Sequence, residues 1–117
     1  MPAKKLDITI EQGAEFVMNL TWKNPAGSPV NLTGYTAKMQ ARLKYSDITP
    51  LVTFSTSDGT IVLGGALGTV AVSGPATMSG ITKPVVGVYD LELTQTSTGK
   101  ITRLVAGRAY ISPEATK

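Results

Sequence analysis

Alternation of apolar and polar residues is the dominant signal along this chain. Leu6, Ile8 and Ile10 alternate with Asp7 and Thr9, and Phe16, Met18, Leu20 and Trp22 alternate with Val17, Asn19 and Thr21. A period of two predicts half-buried strands. Glu11-Gln12-Gly13-Ala14 between the two runs reads as a connection, of which a hairpin turn is one form. Lys23 to Pro29 holds two prolines and a glycine and predicts a loop. The clearest amphipathic strand follows: Tyr35, Ala37, Met39, Ala41 and Leu43 share one face, and Thr36, Lys38, Gln40, Arg42 and Lys44 the other.

Tyr45 to Pro50 predicts a polar connection, Leu51 to Ser55 a short strand, and Thr56-Ser57-Asp58-Gly59 a turn with an Asp-Gly signal. Thr60 to Leu63 and Thr69 to Ser73 are short strands about the glycine-rich turn Gly64 to Gly68. Pro75 to Met78 reads as one helical turn capped by Ser73. Val85 to Thr94 is a strand with Val85, Tyr89, Leu91 and Leu93 on one face, and Gln95 to Lys100 a hairpin loop. Ile101 to Ser112 is the last strand. Its adjacent Leu104 and Val105 break the phase and predict a bulge, placed near Gly107. Residues 1–5 read as a polar arm and 113–117 as a tail. About eight short strands with closely spaced turns predict an all-β antiparallel β-sandwich, immunoglobulin-like, or a small barrel, filling one domain over residues 1–117.

Composition narrows the function. Hydrophobic residues make up 42% of the 117, whereas charged residues make up only 16% against the usual ~25%, which suits strands and tight turns rather than solvated helices. The net charge of +3 is dispersed, which argues against nucleic acid as the partner. No apolar segment follows Lys4-Lys5, so no secretory leader is expected, and no run approaches the ~20 apolar residues of a membrane span.

Candidate chemistry is sparse. The sequence contains no histidine and no cysteine, which removes the commonest general base and the usual soft metal ligands. Asp90 and Glu92 form a carboxylate pair, but two acids on one strand read as a solvated outer face rather than the two walls of a cleft. Gly64 to Gly68 lacks the Lys-Ser/Thr of a phosphate loop. No catalytic residue, cofactor or metal is expected. Lys38, Arg42 and Lys44 admit two readings: a contact face for an acidic partner, or the charged guard of an exposed strand edge. Trp22, Tyr35 and Tyr89 read as core and Tyr45 as exposed. The expected partner contacts are Lys4, Lys5, Lys38, Arg42, Lys44, and the loop that begins with Asn24 and Pro25.

The opening Leu6-Asp7-Ile8-Thr9-Ile10-Glu11-Gln12-Gly13-Ala14-Glu15-Phe16 resembles small structural proteins of tailed bacteriophages. So do Trp22 to Gly27 with Val30-Asn31-Leu32-Thr33-Gly34-Tyr35, and the close, Tyr89 to Thr94, Thr102 to Gly107 and Ser112-Pro113-Glu114. The plan is similar to the immunoglobulin-like N-terminal domain of phage upper-baseplate proteins. The resemblance covers most of the chain, least from Leu51 to Pro84, and implies a non-enzymatic virion component that binds other virion proteins in multiple copies or as a homo-oligomer. Those baseplate proteins continue into a stalk and receptor-binding region, whereas this sequence ends at Lys117, so the place in the particle stays open. The expectations are a tail- or baseplate-associated assembly or fibre-attachment module, a capsid decoration protein, or, from a different class, a carbohydrate-binding module. The last requires coplanar aromatics such as Tyr45, Tyr110 and Trp22. A virion assembled in a host cytoplasm is the expected location.

Overall fold

The computed structural model describes residues 4–78 and 81–113. Its strands are β1 (Lys4–Lys5), β2 (Ile8–Glu11), β3 (Glu15–Thr21), β4 (Tyr35–Arg42), β5 (Val52–Ser55), β6 (Ile61–Leu63), β7 (Thr69–Pro75), β8 (Val85–Gln95) and β9 (Ile101–Ser112), with one 3-10 turn at Gly65–Leu67. The protein is all-β, and its two sheets form a sandwich. The long sheet runs β1-β9-β8-β4-β5, with β2 also on β9, and the short sheet runs β3-β7-β6. All pairings are antiparallel except β1 and β2, which lie parallel to β9.

The alternation seen in the sequence is the inward face of each strand. Ala37, Met39 and Ala41 of β4, Tyr89, Leu91 and Leu93 of β8, and Val105, Ala109 and Ile111 of β9 are buried from the long sheet. Phe16, Val70, Val72 and Ile61 meet them from the short one. Each such large side chain contributes about 1.5–3 kcal/mol by leaving water. The two sheets are tied by Phe16 and Phe54, stacked with centroids 5.5 Å apart. One end is closed by Trp22 edge-on to Tyr35 at 5.9 Å.

Several sequence expectations are corrected. Glu11 to Ala14 is not a hairpin: β2 lies on β9 and β3 on β7, so this turn carries the chain from one sheet to the other, with Gly13 at φ 82°. The amphipathic strand stops at Arg42, and Leu43, expected inside, is 42% exposed. Pro75 to Met78 forms no helical turn. Strand β7 runs through Pro75, and Ala76 N–H continues the ladder to the Ala14 carbonyl at 2.9 Å. Ala76 and Met78 are both buried, which is a strand's period of two. Pro75 is tolerated because its nitrogen faces the β6 side, and β6 reaches only as far as Val72. The bulge is at Leu104 rather than Gly107, since Leu91 pairs Val105 while Glu92 pairs Arg103. An extra residue there reverses the phase of β9, which is why Leu104 and Val105 are adjacent apolar positions. Lys4 and Lys5 form a strand on Val105 and Ala106 instead of a loose arm. The rest of that arm, residues 1–3, and residues 114–117 of the tail lie outside the described residues.

Candidate interaction surface

The outward face of the long sheet is set by register. Lys38 pairs Glu92 on one side and Ser55 on the other, Gln40 pairs Asp90, and Arg42 pairs Val88. Acidic β8 therefore runs directly beside basic β4, and Arg103 of β9 closes the row from the far side, 3.4 Å from Asp90 and 3.9 Å from Glu92. The basic stripe read from β4 alone is one band of a mixed-charge face. Nor is β4 an edge, since it lies between β8 and β5. That overturns the edge-guard reading of Lys38, Arg42 and Lys44.

The three cations differ in freedom. Lys38 is exposed and makes no ion pair among the described residues. Arg42 is occupied by its own loop: Nη1 donates to the Asp47 carbonyl at 2.9 Å and the Ile48 carbonyl at 2.6 Å, and Nη2 to Gln40 Oε1 at 2.7 Å. Lys44 is an exposed turn residue whose N–H donates to Asp47 Oδ2 at 3.3 Å. Asn24 also has an internal task. Its Oδ1 accepts from the N–H groups of Ala26 and Ser28, both at 3.0 Å, and so shapes the loop that displays Pro25.

Sequence reasoning missed a groove of about 490 Å³ at the open side of the sandwich, between the end of β3 and the start of β9. Leu20, Trp22, Leu104 and Val105 form its apolar floor, Lys4 and Lys23 flank it, and no carboxylate lines it. Leu20 and Trp22 carry the core phase in the sequence, yet they are only half-buried, because nothing among the described residues pairs with β3 on that side. The available signal was the Leu104–Val105 phase break, which leaves Leu104 half-exposed at the groove.

The aromatics do not form one platform. Tyr45 is 67% exposed and Tyr110 40%, both beside the outer face of the long sheet, whereas Trp22 packs on Tyr35 at the end of the short one. Two titrating groups are perturbed. The Thr60 hydroxyl, with its N–H, holds Asp58 below the usual carboxylate range, which fixes the turn between β5 and β6. Burial, helped by the Asp7 charge, pushes the Tyr89 phenol up to about 12. Among the described residues no three His, Cys, Asp or Glu lie close enough to hold a metal, and no helix is long and apolar enough to cross a membrane. No family model matches the chain, and no curated protein sequence matches it.

Proposed function

We propose that the chain is a non-enzymatic structural module of a bacteriophage virion, associated with the tail or baseplate, and that its sandwich is immunoglobulin-like. The observation that carries this reading is the strand order. One sheet runs β1-β9-β8-β4-β5, with β2 also on β9, and the other β3-β7-β6. With β3 taken as strand B, this order agrees with the G-F-C-C′ against B-E-D arrangement of immunoglobulin sandwiches, with the first strands lying on strand G, and so supports the immunoglobulin-like reading. That is the domain type implied by the resemblance of Leu6 to Phe16 and of the Tyr89 to Gly107 hairpin to phage structural proteins. A structural role is further supported by the surface chemistry. The paired acids Asp90 and Glu92 are engaged by Arg103 on an open face, and the groove between the end of β3 and the start of β9 is lined by apolar, basic and neutral polar residues with no carboxylate. Such surfaces suit docking to other virion proteins through strand edges and side-chain contact.

The test is to separate heads from tails in purified particles of the encoding phage and quantify the chain in each by mass spectrometry. Low copy number in tails supports the proposal. High copy number in heads replaces it with a capsid decoration role, and absence from both overturns the virion assignment.

A further inference from the structure

We infer that two copies of this chain pair through the free edge of β3, antiparallel, with Glu15 of each copy opposite Lys23 of the other. This deepens the multi-copy part of the virion reading. Its experiment uses the isolated chain, so failure here leaves the particle location untouched.

Sheet edges are normally blunted by brevity, proline, lysine or a covering segment. Strand β6 has three residues and β5 has four. Strand β3 has seven, contains neither proline nor lysine, and among the described residues pairs only with β7. Its ladder fixes which groups face outward. Ala76 N–H donates to the Ala14 carbonyl at 2.9 Å and Trp22 N–H to the Gly68 carbonyl at 2.8 Å. The even-numbered residues between them therefore bond to β7. The N–H and C=O of Glu15, Val17, Asn19 and Thr21 point to the open side.

An antiparallel partner must bring odd-numbered residues opposite odd-numbered ones to make the closely bonded pairs. The chain's own β3 does so in several registers, and charge selects one. With Asn19 opposite its counterpart, Val17 faces Thr21 and Glu15 faces Lys23 of the second copy, twice over by the two-fold symmetry. Sliding by one pair in either direction leaves Glu15 opposite Thr21, or Lys23 opposite Val17, with the charges unmatched. Both Glu15 and Lys23 are exposed and neither makes an ion pair among the described residues. The same register sets Phe16 beside Trp22 and Met18 beside Leu20 of the second copy. That extends apolar cover over the half-buried Leu20 and Trp22 at the groove.

The experiment is sedimentation velocity on the full chain over a wide concentration range, with circular dichroism and melting as checks on the monomer fold. A concentration-dependent dimer is expected. Asn19→Pro deletes the central pair of intermolecular bonds without touching the β7 ladder and is expected to abolish it. Glu15→Lys or Lys23→Glu alone should weaken the dimer on the order of tenfold, and the double variant should restore it, because cross-strand charge pairs turn from attractive to repulsive and back. If Asn19→Pro fails to fold, the charge-swap set decides. A chain monomeric at every concentration overturns the inference, even where a strand of another protein takes the edge. So does a dimer indifferent to Asn19→Pro, or a double variant no tighter than the singles.

Discussion

The Tyr89 hydroxyl donates to the backbone carbonyl of Leu6, joining the centre of the long sheet to the N-terminal segment 83 residues away in sequence. The bond spans a position without a side chain. Tyr89 pairs with Gly107, and a Cβ on Gly107 would stand against the Leu6 carbonyl. The ladder is interrupted between β1 and β2 at this point. Asp7 repairs it by accepting Arg108 N–H at 3.0 Å with Oδ1, while Leu6 N–H reaches the Ala106 carbonyl at 3.0 Å. Tyr89→Phe keeps the buried ring and removes only the donor. It should cost about 1–2 kcal/mol in chemical denaturation, and hydrogen exchange should rise in Lys4 to Glu11 before the rest of the sheet.

Alkaline stability follows from the same phenol. Its pKa is 10.0 when free and about 12 in the fold. The folded state thus retains a proton that the unfolded chain loses first. The associated stability is fully present below pH 10 and is lost as pH rises towards 12, by on the order of 2–3 kcal/mol. Denaturant midpoints measured across this range should fall in the native chain. The fall should be visibly shallower in Tyr89→Phe, which separates the phenol from the lysines that titrate in the same interval.

Gly107→Ala tests the space rather than the bond. The new methyl group has backbone as its nearest neighbour, Leu6 C and O, so relief requires moving β1 away from β9. The expected loss is about 1–3 kcal/mol. A crystal structure or amide chemical shifts should place the displacement at Leu6 and Asp7, with the β8–β9 hairpin intact. An unperturbed Leu6 with unchanged stability would contradict the account.

Much of this architecture is legible in the sequence because strands announce themselves locally. Period-two runs such as Ala37 to Ala41 and Tyr89 to Leu93 mark the residues that the structure buries. Pairing is not local. Nothing in Leu6 to Glu11 says that it lies parallel to a strand about a hundred residues later, so its turn into β3 reads as a hairpin when it is a sheet crossing. Pro75 reads as a helix start because proline suits that site, whereas it ends strand β7, and Ala76 and Met78 beyond it are buried in an extended segment whose Ala76 N–H bonds the Ala14 carbonyl. The candidate surface was the least legible part. Lys38 and Arg42 appear as a basic stripe until the register sets Glu92 and Asp90 beside them. The open edge of β3 is defined by what fails to pair with it, which no single residue encodes.

The turn between β5 and β6 gives an acid-side prediction. Asp58 Oδ1 accepts from Thr60 N–H at 2.9 Å and from its hydroxyl, and these bonds favour the ionised carboxyl. A depressed carboxyl contributes stability above its unfolded value and loses it as pH falls through the folded one. Thr60→Val should raise the Asp58 pKa towards its ordinary value in an NMR titration. It should also loosen the Ser55 end of β5, whose N–H donates to Thr60 Oγ1 at 2.8 Å.

Charge reversal on β4 separates a contact residue from a structural one. Lys38→Glu changes an exposed side chain, so the fold should hold within about 0.5 kcal/mol. Its cross-strand neighbour is Glu92, and at this exposed position the like-charge repulsion stays small enough to fall within that range. Arg42→Glu, only two residues on, strips the donors from the Asp47 and Ile48 carbonyls and from Gln40, and sets a carboxylate against those acceptors. It should cost about 1–3 kcal/mol and raise exchange and protease cleavage across residues 43–50. Particle incorporation then discriminates. If the outer face of the long sheet docks a partner, Lys38→Glu lowers incorporation of a chain whose melting curve is unchanged. If only Arg42→Glu reduces it, in proportion to its lost stability, the outer face of the long sheet is not the docking surface.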